Sequence, residues 1–225
     1  MADVDPNANS SGNYDTFTQS LVFYEIELEN GDLYSATLEL VSESPDIVFR
    51  LADANLKFSP SDTADLTLPI RPGVRPRTTS DVPHTQIGVD LVPEVNTELF
   101  RRVFSVPGIE QHVSSGSFSG TQGLWLAEDI PNLHPGIITG QEFGHIHPDG
   151  SLHASLAPGR ARDAGCAGWA TAHPWANQRA GWEGFVMLYT PQTMAELEVT
   201  FQLVVDSYNF VTGRDVLAAD HGAGR

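Results

Sequence analysis

The sequence predicts an α+β fold, in which an antiparallel sheet or half-open barrel packs against a long C-terminal helix and one or two short helices. Apolar and polar residues alternate between turn signals in residues 17–42, 112–126 and 144–156, as is typical of strands. From Met194 to Tyr208 the apolar residues instead recur at helical spacing. These two periodicities together favour a sheet covered by a helix over an all-helical or all-strand fold.

Three helices are predicted. The first covers residues 96–104 and is capped by Asn96 or Thr97, and the second covers 159–167 and is opened by Pro158. The third is capped by Thr190 or Thr193, ends at Gly213 and spans about five turns, so it is the long C-terminal helix of the predicted fold.

The chain is predicted to contain four segments. Residues 1–14 lack periodicity and are expected to be a disordered tail. Residues 15–66 are acidic and rich in strand patterns, with a hairpin turn at Asn30-Gly31. This part is small for an independent core, so we expect it to pack on the main domain, extending its sheet or covering its edge. The main domain covers residues 67–214, and residues 215–225 form a frayed tail.

The charge balance narrows the range of partners. The chain has 29 Asp and Glu residues against 12 Lys and Arg, a net charge of −17, so we expect neither nucleic acid nor a membrane as a partner. An acidic surface of this kind also suggests adaptation to high salt, which screens its repulsion. A single Cys and no signal-peptide pattern or long apolar run predict a cytoplasmic protein without disulfides.

His145, His147 and His153 lie on a predicted β-hairpin. The Pro-Asp-Gly sequence at 148–150 suits a three-residue turn, which sets His145 opposite His153. Because strand side chains alternate, the three imidazoles share one face, and the other face is apolar and suits a core. Glu142 is then expected to point to the apolar face, away from the imidazoles.

Three converging imidazoles are compatible with two kinds of functional site. Neutral imidazole is the commonest protein metal ligand, and three would leave positions open for water, oxygen or substrate, with His173 as a fourth ligand from its loop. Without a metal, imidazoles this close stay partly neutral at pH 7, and one could act as a general base toward a phenol or enol. The remaining alternative is a solvated cluster without function.

Further motifs follow the hairpin in a recognisable order. The arrangement resembles the fungal luciferase family, and residues 68–76 upstream, which include Arg75, fit the same pattern. The motifs are His145-x-His147, Ser151-Leu152-His153, Gly168-Trp169, His173-Pro174 and Tyr189-x-Pro191, followed by a Glu-rich helix.

The resemblance implies an oxidoreductase that combines molecular oxygen with a small aromatic or enolic compound and needs no organic cofactor. The implied catalytic residues are His145, His147, His153 and His173. Independently of the resemblance, His145, His147 and His153 are the ligands if the imidazoles bind a divalent metal. The implied substrate-binding residues are Arg75, Trp169, Trp175 and Tyr189.

The fungal enzymes begin with a membrane-anchoring segment, where this chain has its acidic strand-rich part. We therefore expect a different small-molecule substrate and no light emission. The alternative function is a non-catalytic module that binds a metal or a small molecule.

Overall fold

The structure is a computed structural model that describes residues 10–15, 20–27, 33–42, 48–58, 67–79, 81–134, 137–176 and 178–222, the first four ranges as backbone strands only. These strands are β1 (Ser10–Asp15), β2 (Ser20–Glu27), β3 (Leu33–Ser42) and β4 (Val48–Phe58). They pair antiparallel in chain order as a sheet of their own.

This N-terminal sheet changes two expectations. Residues 10–14 belong to β1 and pair with β2, so the prediction of a disordered tail is wrong for them. The four strands are not hydrogen-bonded to the sheet of the main domain, so they do not extend it. The β2–β3 pairing confirms the predicted hairpin, whose turn at Asn30-Gly31 lies outside the described residues.

The main domain contains a six-stranded antiparallel sheet in the order β11-β12-β10-β9-β8-β7. Two short strands, β5 (Arg77–Thr78) and β6 (Gln86–Ile87), pair separately. The six strands are β7 (Ile109–Val113), β8 (Gln122–Leu126), β9 (Glu142–Ile146), β10 (Leu152–Ser155), β11 (Ala170–Ala172) and β12 (Phe185–Leu188).

Three α-helices complete the domain: α1 (Pro93–Val103), α2 (Pro158–Cys166) and α3 (Met194–Thr212). The predicted start of α1 at Asn96 or Thr97 is wrong, because Pro93 begins the helix, where its fixed φ is helical and its missing N–H costs no hydrogen bond. The other predictions are confirmed: α2 opens at Pro158, and α3 is capped by Thr193 and ends at Gly213, whose φ is 69°.

The core lies between the sheet and α3, which packs on β9, β10 and α1. It buries the apolar face of the β9–β10 hairpin, including Ile146, Leu152 and Leu156. The sheet and the helix thus form the predicted α+β architecture. Because strand side chains alternate, the opposite face of the same hairpin carries the histidines.

The predicted frayed tail is partly ordered. The Asn209 side chain accepts a hydrogen bond from the Val216 N–H and donates one to the Val216 carbonyl, both at 2.9 Å. A 3₁₀ helix at Ala218–His221 follows and buries Ala218. Among the described residues, no helix combines the length and apolarity needed to cross a bilayer.

Candidate active site

The β9–β10 hairpin has the predicted register. His145 lies opposite His153, and the turn closes through a 2.9 Å hydrogen bond from the Gly150 N–H to the His147 carbonyl. Gly150 has φ of 82°, a conformation that glycine adopts without strain. The ring centroids of His145, His147 and His153 lie 4.7 to 5.1 Å apart, so the three predicted imidazoles converge.

The imidazoles line a cavity of about 330 Å³. His173 joins them from the loop after β11, and each of these histidines is at most 6% exposed. These side chains are therefore buried and not solvated, contrary to the third alternative. The rest of the wall is largely apolar and aromatic and includes Val82, Pro83, Phe118, Ile138, Trp175, Trp182 and Phe185.

His84 is a fifth member of the cluster, which sequence reasoning missed. It is buried, and its Nδ1 lies 3.2 Å from Nε2 of His153. His84 also packs edge-on against His173 at a centroid distance of 5.3 Å. It lies between β5 and β6, where no periodicity in the sequence indicates which way a side chain points.

The expectation for Glu142 is wrong. Its carboxylate lies on the histidine side, with Oε1 3.2 Å from Nδ1 of His145. The cause is an irregularity in the β8–β9 pairing: Leu124 lies opposite Gly144 but Trp125 lies opposite Glu142, so Phe143 is an extra residue. Such a bulge changes the side to which the preceding side chain points.

Of the predicted substrate-binding residues, Trp175 alone is part of the cavity wall. Arg75 donates a 2.6 Å hydrogen bond to the Gly165 carbonyl near the end of α2. The buried Trp169 indole donates to the Pro69 carbonyl, and the Tyr189 ring lies 5.8 Å from the Arg71 guanidinium. These three side chains therefore hold the segment after residue 67 and its neighbours together rather than line the cavity.

The carboxylate of Glu142 fixes the tautomers of three rings. It also accepts hydrogen bonds from the Ser114 hydroxyl and from the Ser115 hydroxyl and N–H. A carboxylate only accepts, so Nδ1 of His145 carries a hydrogen, and in the neutral ring its Nε2, 2.9 Å from Nδ1 of His153, is an acceptor. His153 then donates from Nδ1 to His145, so its own Nε2 is an acceptor. His84 in turn donates from Nδ1 to Nε2 of His153, which leaves Nε2 of His84 as an acceptor.

The tautomers of His147 and His173 follow from their neighbours. Ser151 donates its hydroxyl hydrogen to Asp149 at 2.7 Å, so it accepts from Nδ1 of His147 at 2.9 Å. Nε2 of His147 is therefore an acceptor. Nδ1 of His173 accepts the Trp175 backbone N–H at 3.1 Å, so the neutral ring carries its hydrogen on Nε2.

Burial keeps His84, His147, His153 and His173 uncharged at neutral pH. It lowers the pKa of His84 to about 4, and together with neighbouring imidazoles it lowers the pKa values of His147 and His173 to about 3. The pKa of His153 is lowered for the same reasons. Burial would raise the pKa of Glu142, but hydrogen bonds from His145, Ser114 and Ser115 outweigh it and lower that pKa to about 2.

Comparison with known proteins adds one finding. No curated protein and no solved structure matches the chain. A family model described as Luciferase domain matches residues 140–207, a range that includes His145, His147, His153 and His173 but not His84. This match confirms that the chain resembles a luciferase-like family over the part that carries the hairpin, α2 and most of α3.

Proposed function

We propose that this protein is a luciferase-like oxidoreductase that combines molecular oxygen with a small aromatic or enolic compound bound in the cavity, with the histidine cluster as its catalytic centre. The luciferase-domain match supports the class of reaction. A cytoplasmic location, a small-molecule partner and the absence of light emission are parts of the same proposal.

The observation that carries the proposal is the pattern of donors and acceptors on the cavity wall. Nε2 of His84 and Nε2 of His147 are acceptors, and Nε2–H of His173 is a donor; none of them has a protein hydrogen-bond partner among the described residues. An enol with a neighbouring carbonyl presents the complementary pair, because its hydroxyl donates and its carbonyl accepts.

This pattern suits deprotonation of the substrate. A neutral imidazole within hydrogen-bond distance of an enol hydroxyl can take its proton as the enolate forms, because the adjacent enolate stabilises the imidazolium that burial alone disfavours. The buried His173 N–H then stabilises the negative charge on oxygen. The electron-rich enolate carbon supplies the electrons, and molecular oxygen is the oxidant.

The volume of the cavity and its aromatic wall suit a compound of one or two rings. Its volume of about 330 Å³ lies at the small end of the range for ligand pockets, which is about 300 to 1,000 Å³. Trp175, Trp182 and Phe185 provide ring faces and edges on the same wall as His173. Aromatic walls favour an aromatic ligand through offset or edge-on ring contacts.

Oxygen uptake tests the proposal directly. The full-length protein is incubated with a panel of hydroxypyrones, phenols and enolised dicarbonyl compounds, and oxygen consumption is recorded. We expect His147→Ala and His173→Ala to lower turnover about 100-fold or more, the usual range for loss of acid–base groups. His112→Ala, which alters an exposed histidine on β7, is the control and should not change it. Unchanged turnover in both cavity variants would contradict the proposal.

A second candidate is a module that binds the same class of compound without converting it. The buried neutral imidazoles and aromatic walls favour binding whether or not reaction follows. Ligand binding that His147→Ala and His173→Ala weaken, with no oxygen consumed by any member of the panel, would support this function over the oxidoreductase.

A further inference from the structure

We infer that Nε2 of His145, Nε2 of His147 and Nδ1 of His153 form a binding site for one divalent first-row transition metal ion. The three residues are buried in the cavity wall, and each offers one ring nitrogen within 4.8 Å of a ring nitrogen of the other two. The inference deepens the proposed function by naming a cofactor for the same cavity, and it rests on that function only for the role of the metal.

The distances suit a single ion. Two nitrogen ligands of one metal lie about 3.0 to 3.4 Å apart when the bonds are about 2.1 Å long. Nε2 of His145 and Nδ1 of His153 are already 2.9 Å apart. The His147 ring lies beside this pair, with its centroid 4.7 Å from that of His153, and supplies the third nitrogen.

Each of the three rings has a hydrogen-bond partner for its other nitrogen, as metal-bound histidines usually do. Glu142 accepts from Nδ1 of His145, and Ser151, itself bound to Asp149, accepts from Nδ1 of His147. These two bonds leave the ligand nitrogens of His145 and His147 without hydrogens, so both are ready to bind an ion.

His153 reaches the same state by changing its tautomer. In the metal-free protein its Nδ1–H donates to His145; with an ion bound, the hydrogen moves to Nε2 and donates to Nδ1 of His84, 3.2 Å away. His84 then carries its own hydrogen on Nε2. His84 is thus the outer partner that allows His153 to bind the ion.

A second group of three buried histidines, His84, His153 and His173, is less suited to a metal. Nδ1 of His173 already accepts the Trp175 backbone N–H, so its free nitrogen carries a hydrogen and has no lone pair to give. The tautomers therefore single out the group that contains His145 and His147.

The donor atoms indicate the kind of metal. Three neutral imidazoles suit zinc, iron, cobalt, nickel or copper, whereas magnesium and calcium prefer oxygen ligands. Three protein ligands also leave positions for water or substrate. Under the proposed function, such an ion would bind the enol oxygen in place of the acceptors of His84 and His147 and favour the anionic form of the substrate.

Metal binding can be measured without any substrate. Full-length protein made without a His-tag is treated with a chelator, dialysed and titrated with Zn²⁺ or Co²⁺ alone by calorimetry, and metal content is measured after a second dialysis. We expect one equivalent of either ion, and no binding of Mg²⁺ or Ca²⁺ at the same concentrations. We expect His147→Ala and His153→Ala to weaken Zn²⁺ binding at least 100-fold, and His84→Ala to weaken it about 10- to 100-fold.

His112→Ala is the control, because its imidazole is exposed and distant in the sheet order from β10, and it should bind as the unaltered protein does. Circular dichroism shows whether each variant is folded; if His147→Ala is not, His147→Gln takes its place. Less than one tight equivalent, or full binding by the folded cavity variants, would overturn the inference. Oxygen uptake by chelated and metal-loaded protein separates the two proposals. Turnover without metal contradicts only the role given to the metal in the reaction, and tight metal binding without turnover contradicts only the oxidoreductase.

Discussion

Glu142 has four hydrogen-bond donors around its carboxylate: Nδ1 of His145, the Ser114 hydroxyl, and the hydroxyl and N–H of Ser115. It is fully buried, so these bonds replace the water that it loses on folding. One oxygen holds His145 in a single tautomer, and the other ties β9 to the loop after β7. Glu142 is not part of the cavity wall, but its carboxylate thus sets the tautomer of His145, which is.

Replacing this carboxylate tests its influence on the metal site. Glu142→Gln keeps the size of the side chain but lets the amide either donate or accept, so Nδ1 of His145 is no longer forced to carry the hydrogen. We expect Zn²⁺ affinity to fall about 10- to 100-fold, as for other outer hydrogen-bond partners of metal ligands. The control is Glu110→Gln, which alters an exposed glutamate 3.0 Å from the exposed His112. Equal Zn²⁺ affinities in the two variants would contradict this prediction.

Single residues also show what the sequence could reveal about the site. The positions of His145, His147 and His153 follow from two local rules, strand alternation and turn chemistry, and both operate within ten residues. The bulge at Phe143 depends on how β9 pairs with β8, which no pattern within β9 records. His84 lies 69 positions before His153, in a segment without periodicity, so only the tertiary fold brings the two together.

At the scale of elements, β12 lies between β10 and β11 and carries Phe185 into the cavity wall. Just before β12, Gly184 passes so close to the chain that follows β10 that its carbonyl accepts the Leu156 N–H at 2.9 Å. A Cβ atom on Gly184 would clash with the Leu156 carbonyl oxygen, a backbone atom that cannot rotate aside as a side chain can. This approach sets the start of β12, and with it the position of Phe185.

We expect Gly184→Ala to lower the free energy of unfolding by about 2 kcal/mol or more, since the backbone must move to admit the methyl group. Gly159→Ala is the matched control, because Gly159 lies near the start of α2 with nothing within 4 Å of an added Cβ. Alanine there should be neutral or stabilise by up to about 1 kcal/mol. Urea unfolding followed by circular dichroism measures both; equal effects would refute the role given to Gly184.

At the scale of the whole molecule, the segment after residue 67 is held to the helical side of the domain by a buried ion pair. Arg71 donates a 3.1 Å hydrogen bond to Glu196 in the first turn of α3, and both side chains are less than a tenth exposed. The backbone N–H of Arg71 also donates to the Ala167 carbonyl at 2.7 Å. The pair therefore connects the part of the chain that leads to His84 with α2 and α3.

Breaking this pair should cost stability. Arg71→Met leaves Glu196 buried without its cation, and we expect a loss of about 3 kcal/mol in the free energy of unfolding, at the lower end for broken buried pairs. The matched control is Arg160→Met, because Arg160 pairs with Asp206 where both side chains are more than a fifth exposed. Its loss should stay below about 1 kcal/mol. Urea unfolding at constant salt distinguishes the two, and similar losses would contradict the prediction.

The net charge of −17 leads to a prediction for the entire chain. Repulsion among surface carboxylates disfavours the compact state, and salt screens it, so we expect the melting temperature to rise between 0.05 and 2 M KCl. Sucrose at matched osmolality is the control, since it stabilises by exclusion from the surface without screening charge. A melting temperature that rises equally in sucrose, or not at all in KCl, would remove the basis for salt adaptation.

The fold class could be predicted because the periodicity of each segment is a local property, as the strand β12 and the helix α3 show. Which strands share a sheet is not local. The alternating runs of β2 and β3 predict a hairpin, but nothing in them states that β1 to β4 would form a sheet separate from β7 to β12. The short β11 and the 3₁₀ helix at Ala218–His221 were missed for a related reason, since both are too short to show a period.

Two of the four tryptophans, Trp175 and Trp182, lie on the cavity wall, with ring centroids 6.4 Å apart and each within 6.0 Å of His173. Their indole emission is therefore an intrinsic optical signal of what occupies the cavity. A stacked aromatic guest or a paramagnetic ion beside His153 would quench that emission, while Trp125 and Trp169 outside the wall supply a constant background. Screening of unlabelled compound libraries by intrinsic fluorescence is thus possible before any substrate is known.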